Sequence, residues 1–78
     1  MDIYTEAKVV SDLLAREGHP EDGKRLIDSI ENGSTSTEIL MALRWHAQKV
    51  ESSGITVSSY TRERIRRLLS ELEKVLDA

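Results

Sequence analysis

The sequence predicts an all-α protein, a compact bundle of four short helices. Apolar residues recur at helical spacing in four successive segments, and no segment alternates apolar and polar residues for long enough to predict a strand. Gly, Pro and Ser separate the segments, and such short turns favour antiparallel neighbours. A chain of 78 residues is enough for one domain, so we expect residues 1–78 to form a single helical domain.

The first helix is expected at about residues 2–17. Asp2 is suited to the N-cap position because its carboxylate can accept hydrogen bonds from the free backbone N–H groups of the first turn. Gly18 is typical of the residue that follows a helix end, and Pro20 prevents continuation. One apolar stripe contains Ile3, Ala7, Val10 and Leu14.

The second helix is expected at about residues 20–32, between Pro20 at the first helical position and a stop at Asn32 and Gly33. Gly23 lies on the apolar side of this helix. A glycine inside a helix is about 1 kcal/mol less favourable than alanine. We therefore expect a neighbouring helix to approach closely at Gly23.

The third helix is expected at about residues 36–52. Thr35 and Glu38 match a capping box, in which the two side chains bond reciprocally to backbone N–H groups. Met41 and Trp45, four residues apart, face away from the main apolar side. Such a helix either lies at the centre of the fold, with both apolar sides packed against other helices, or offers a contact patch at the surface. The main apolar side contains Ile39, Leu40, Leu43, Ala47 and Val50, with His46 at its edge.

The fourth helix is expected at about residues 59–76, with Ser58, Ser59 or Thr61 as its cap. We interpret its apolar stripe as one wall of the bundle, and a dimer seam is the alternative. Residues 55–57 are too short for a strand, and their apolar side chains are expected to close the end of the bundle. The stripe contains Ile65, Leu68, Leu69, Leu72, Val75 and Leu76.

The composition predicts a soluble cytoplasmic protein. Cysteine is absent, which excludes disulfides and thiolate metal sites. The net charge is −3, whereas nucleic-acid-binding domains are usually basic, so the bulk charge argues against a nucleic-acid partner. No apolar run approaches the ~18–20 residues that span a bilayer, so no membrane partner is expected. The N-terminal MDIYTEAK lacks the basic start and apolar stretch of a secretion signal.

The inventory of reactive residues predicts a protein that is not an enzyme. His19 and His46 lie in different segments without a Glu-x-x-His pair, so no metal site is expected. No serine lies in a Gly-x-Ser-x-Gly elbow, and no glycine-rich phosphate loop is present. We therefore predict no catalytic residue, no cofactor and no metal.

The leading functional prediction is a protein-binding module that uses the surface around Trp45. Tryptophan and methionine are enriched at the centres of protein interfaces, and polar residues surround them there. Such a module suits a small regulator or a toxin-neutralising immunity or antitoxin protein, bound to another protein or to a second copy of itself. Alternatively, Trp45, the only tryptophan, belongs to the core. The predicted partner-binding residues are Met41, Arg44, Trp45, Gln48 and Lys49.

The alternative is a small nucleic-acid-binding protein that uses a basic cluster at the start of the fourth helix. The helix dipole disfavours cations in a first turn by a few tenths of a kcal/mol, roughly, for each charge. Glu63 and Glu71 are spaced to pair with Arg67, which would leave a solvated charged face. The predicted anion-binding residues are Arg62, Arg64, Arg66 and Arg67.

Two resemblances involve these segments. GSTSTEI at residues 33–39 and GITVSSYTRERIRRLL at residues 54–69 resemble the halves of a LuxR-type helix-turn-helix. Here residues 44–53 separate the halves, so no DNA-contacting role is transferred. Residues 33–46, GSTSTEILMALRWH, resemble a segment of short helical bacterial proteins of unassigned function. That resemblance implies a bacterial origin and a compact all-α domain, and it implies no activity.

Overall fold

The computed structural model describes residues 2–77, which form four helices and no strand. These are α1 (Ile3–Arg16), α2 (Pro20–Asn32), α3 (Ser36–Ser52) and α4 (Ser59–Leu76). The predicted all-α bundle is confirmed, and only α1 differs in its bounds, by one residue at each end. The predicted domain also includes Met1 and Ala78, which lie outside the described residues.

Local side chains define where three of the helices begin. Asp2, Thr35 and Ser58 each accept a hydrogen bond from a backbone N–H in the first turn of α1, α3 and α4. Of the three predicted caps for α4, the residue at the cap position is therefore Ser58. In the predicted capping box, Glu38 accepts from the N–H of Ser34 at 3.3 Å rather than from Thr35. The cap of α3 is thus reciprocal but displaced by one residue.

The helices form a closed ring in which each packs against its neighbours along the chain and α4 packs against α1. The connecting segment at residues 53–58 is irregular, and Ile55 and Val57 pack against the core as predicted. Val75 departs from the prediction: it is 51% exposed because it lies at the edge of the stripe in the last turn of α4. The buried apolar core contains Ala7, Val10, Leu14, Leu26, Leu43, Ala47, Val50, Ile65, Leu68, Leu69 and Leu72.

The helices α1 and α2 touch backbone to backbone at Gly23. A Cβ atom added to Gly23 would lie 2.5 Å from the carbonyl oxygen of Ser11. The hydroxyl of Ser11 donates to the carbonyl of Gly23 at 2.7 Å. The predicted close approach is therefore confirmed, and the missing side chain permits it.

The end of α1 is tied to the start of α4 by the carboxylate of Glu17. This carboxylate accepts hydrogen bonds from the backbone N–H of Ser58 and from the hydroxyls of Ser58 and Thr61. Thr61 is fully buried, so its hydroxyl depends on these partners. The hydrogen bond from Thr61, then that from the Ser58 backbone, lowers the pKa of Glu17. We refer to these three residues as the α1–α4 corner.

Candidate functional site

The helix α3 runs without interruption and has one buried side and one exposed side. Leu43, Ala47 and Val50 are buried, while Trp45 is 54% exposed and Met41 is 51% exposed. Large apolar side chains are usually among the more buried residues of a domain. The only tryptophan therefore lies on the surface next to a methionine, and the alternative in which it belongs to the core is wrong.

Two neighbours restrict the position of the Trp45 ring. The Nζ atom of Lys49 lies 4.7 Å from the ring centroid, in the geometry of a cation–π contact. The imidazole of His46 packs edge-on, with the ring centroids 4.9 Å apart and the planes at 88°. The ring thus has preferred contacts although half of it is in solvent, so less conformational entropy would be lost when a partner covers it.

The five predicted partner-binding residues do not all share one surface. Met41, Trp45, Gln48 and Lys49 are exposed along the outer side of α3. Arg44 is half-buried and donates to the carboxylate of Asp77 at 3.1 Å, at the end of α4. We name Met41, Trp45, Gln48 and Lys49 the α3 patch, and Arg44 belongs instead to the contact between α3 and α4.

A cleft beside the α3 patch extends over the seam between α2 and α3. One part, of about 300 Å³, lies next to Trp45 and Lys49 and reaches Asp22 and Arg25 of α2. A second part, of about 370 Å³, continues along the same pair of helices past His46. Several small residues line the second part and leave space along the seam. The small residues there are Ser29, Gly33 and Ala42.

Sequence reasoning identified the α3 side of this cleft and missed the α2 side. Asp22 and Arg25 are ordinary surface residues in the sequence, and they form an ion pair at 3.2 Å. The available signal was a pair of small residues four positions apart, Ser29 in the last turns of α2 and Gly33 directly after the helix end. That spacing alone does not reveal which helix packs there.

His46 separates the two parts of the cleft as a half-buried imidazole. Burial lowers its pKa, the nearby positive charges of Arg25 and Lys49 lower it further, and Asp28 opposes them. The lowered pKa favours the neutral form of the ring. The charged side chains beside Trp45 are Arg25, Lys49 and Asp22.

The basic cluster of α4 is largely occupied by carboxylates of the same chain. Arg66 pairs with Glu51 at 2.9 Å, and Arg62 lies 3.7 Å from the same carboxylate. Arg62 also donates to the carbonyl of Ile55 at 2.8 Å. Two of the four predicted anion-binding residues thus connect α3, the preceding loop and α4.

Arg64 makes a two-point ion pair with buried Glu6 of α1. Its Nη2 atom donates to Oε1 of Glu6 at 2.7 Å, its Nε atom donates to Oε2, and Nη1 donates to the Tyr60 hydroxyl at 2.6 Å. The hydrogen bonds with Glu6 raise the pKa of Arg64. Arg64 therefore balances a carboxylate that α1 buries against α4.

Arg67 is exposed, as is Arg66, and the pairs predicted for Arg67 do not form. Within the described chain, neither Glu63 nor Glu71 lies within ion-pair distance of Arg67, and Glu71 instead contacts Lys74 at 3.5 Å. The spacing permitted those pairs. The attraction within an exposed ion pair is weak, however, and it is offset by the conformational entropy lost when two long side chains are fixed. The structure therefore does not bring the four arginines together as one open surface.

The structure shows neither a metal-binding cluster nor a membrane span in the part of the chain that it describes. No three His, Asp or Glu side chains of residues 2–77 converge as metal ligands would. Over the same residues, no helix has the length and apolar character needed to cross a bilayer. Comparison of the chain with protein-family models, curated proteins and solved structures finds no match.

Proposed function

We propose that this protein is a non-enzymatic protein-binding module that contacts its partner through the α3 patch. The observation that carries the proposal is the exposure of the single tryptophan, 54%, beside a methionine that is 51% exposed. Removing apolar surface from water stabilises a complex by roughly 25 cal/mol per Å² before the losses of association are subtracted. Tryptophan is the residue type most enriched among those that dominate binding energy.

The kind of module that we propose is a small regulator or a toxin-neutralising immunity or antitoxin protein. Such proteins act by covering a surface of another protein, and a small domain with one contact patch suffices for this. We further propose that it works in the bacterial cytoplasm. The resemblance of residues 33–46 to short bacterial proteins supports that location, as does a composition without cysteine, which suits a reducing compartment.

Site-specific photo-cross-linking in the native host tests the proposed function. The photoreactive amino acid p-benzoylphenylalanine is placed either at Met41 or at Val75, which is equally exposed on α4. We expect the variant at position 41 to form a discrete covalent adduct with one other protein, and the variant at position 75 to form none. Equal yields from the two positions would show that the α3 patch is not a partner surface.

The variant Trp45→Ala then measures the contribution of the indole to binding of the cross-linked partner. Truncation of a desolvated tryptophan at an interface centre is typically worth ~2 kcal/mol or more, which is about a thirtyfold loss of affinity. We expect that loss in isothermal titration calorimetry, with an unchanged helical circular dichroism spectrum. Unchanged affinity would contradict the assignment of Trp45 to the interface.

The alternative function, binding of nucleic acid through the α4 arginines, has less support. At three of the four arginines a phosphate would have to displace a carboxylate: Glu51 from Arg62 and Arg66, and Glu6 from Arg64. Of the four, only Arg67 lacks an ion pair among the described residues. A titration with duplex DNA at low ionic strength, followed by NMR chemical shifts, separates the two proposals. We expect no shifts in residues 60–70, whereas binding that weakens steeply with salt would favour the alternative.

A further inference from the structure

On a protein whose net charge is −3, the part of the cleft beside Trp45 is lined by two positive side chains, Arg25 and Lys49, and one negative side chain, Asp22. Lys49 reaches the cleft from α3, and its Nζ atom lies over the Trp45 ring. Arg25 reaches it from α2. With Asp22 counted, the two cations leave one net positive charge at the Trp45 end of the cleft, where the apolar surface is most exposed.

Both cations retain hydrogen-bonding capacity for a ligand. Over residues 2–77, no carboxylate lies within ion-pair distance of Lys49. Arg25 contacts one carboxylate, that of Asp22, through a single nitrogen, and its side chain is 56% exposed. A guanidinium carries five N–H donors in a planar fork, so most of those of Arg25 remain available for a carboxylate.

We propose that the partner binds this cleft with an acidic segment, in which a carboxylate lies between Arg25 and Lys49 and an adjacent apolar side chain packs on Trp45. This deepens the proposed function and rests on it. The charge of the cleft selects a carboxylate over an ammonium group, and the indole selects an apolar neighbour. The occupant is thus an acidic, apolar segment of another protein.

The charges farther along the cleft limit where the acidic group can lie. Asp28 and Glu38 line the second part of the cleft, together with Arg25. A segment that is acidic along its whole length would be repelled there, because like charges oppose each other across an interface. The partner segment therefore carries its carboxylate at the Trp45 end of the cleft, which also defines the direction in which it binds.

The charge pattern also distinguishes this occupant from a second copy of the chain. A twofold contact would use the same surface on both copies, so each copy would present Arg25 and Lys49 to the other. Even with Asp22 counted, each copy would bring one net positive charge to the contact, so the two patches would repel each other. An acidic segment neutralises them instead.

The test uses three acetylated and amidated hexapeptides that differ at one position and contain Leu-Glu, Leu-Gln or Leu-Lys at the centre. Binding is followed by NMR chemical shifts of the Trp45 indole and of the His46 and Lys49 amides. We expect the Glu peptide to bind about threefold to fivefold more tightly than the Gln peptide, as an exposed charge pair allows. The Lys peptide should bind more weakly than either.

Three charge-neutralising variants complete the test. Lys49→Gln and Arg25→Gln should each remove most of the preference for the Glu peptide. Lys8→Gln, which neutralises an exposed lysine of α1, should retain it. Equal binding of the Glu and Gln peptides, or no shift with the Glu peptide up to its solubility limit, overturns the inference. The cross-linking at Met41 does not depend on these peptides. It therefore tests the proposed function separately from the proposal of an acidic partner segment.

Discussion

Leu43 and Trp45 lie two residues apart in α3 and have opposite roles. Leu43 is fully buried, whereas Trp45 is 54% exposed. We expect Leu43→Ala to lower the free energy of unfolding by about 3 kcal/mol, because it leaves a cavity in the core. Trp45→Ala should change it by less than about 0.5 kcal/mol, as is usual for a surface position. Urea denaturation measures both, and equal losses would show that the indole supports the fold.

Gly23 is the residue at which local preference and packing oppose each other. Helix propensity alone predicts that Gly23→Ala stabilises the protein by about 1 kcal/mol. The new Cβ would lie 2.5 Å from the Ser11 carbonyl oxygen, so α1 and α2 would have to separate. Because overpacking of this kind typically costs about 1–3 kcal/mol, we expect a net loss of stability in urea denaturation. A net gain would show that the two helices separate easily.

At the scale of the helices, the α1–α4 corner makes the free energy of unfolding depend on pH in the acidic range. The pKa of Glu17 is lower in the folded protein than its ordinary value of 4.5. Its contribution to stability is therefore complete above pH 4.5 and is lost as the pH falls through the folded pKa. We expect the urea midpoint of the wild-type protein to fall more steeply below pH 4.5 than that of Glu17→Gln.

The control for this acid dependence is Glu63→Gln, which removes an exposed carboxylate of α4 outside the corner. Its urea midpoint should follow that of the wild-type protein at every pH. At pH 7, Glu17→Gln should already be less stable than Glu63→Gln, because an amide is a weaker acceptor for the hydroxyls of Ser58 and Thr61. Parallel curves for all three proteins would contradict the role assigned to Glu17.

The helices themselves show where sequence reasoning succeeds and where it stops. The bounds of α2, α3 and α4 were predicted because caps and stop signals lie within one turn of the residues that they control. The stripe of α4 was predicted down to Leu72, whereas Val75 is exposed in the last turn. A periodic pattern shows which side of a helix is apolar, and it does not show how far the neighbouring helix extends.

At the scale of the whole molecule, the α3 patch offers little apolar surface for a stable homodimer. A typical specific interface buries ~800 Å² on each partner, about a sixth of this domain's 4682 Å². The α3 patch has only two large apolar side chains, Met41 and Trp45, and positive charge lies beside them. A partner of different charge is needed to cover the patch and its cleft together.

We therefore expect the isolated protein to sediment as a monomer at micromolar concentration. Analytical ultracentrifugation of the wild-type protein and of Trp45→Ala should give the same mass, that of one chain. A wild-type dimer that Trp45→Ala dissociates would mean that the α3 patch binds a second copy. The acidic segment of another protein would then be ruled out as the main occupant of the cleft beside Trp45.

Sequence alone was enough for the fold class, the bounds of three of the four helices and the N-caps Asp2 and Thr35, because each depends on residues close together in the chain. It also separated the two sides of α3, since helical geometry fixes the direction of each side chain. Only the packed structure showed that no helix covers Trp45, that Glu6 and Glu51 pair with three of the four predicted arginines, and that Arg25 lies across the cleft. Those features depend on which surfaces meet in three dimensions, and a hydrogen bond between residues 58 positions apart, such as that of Arg64 with Glu6, leaves no periodic signal in the chain.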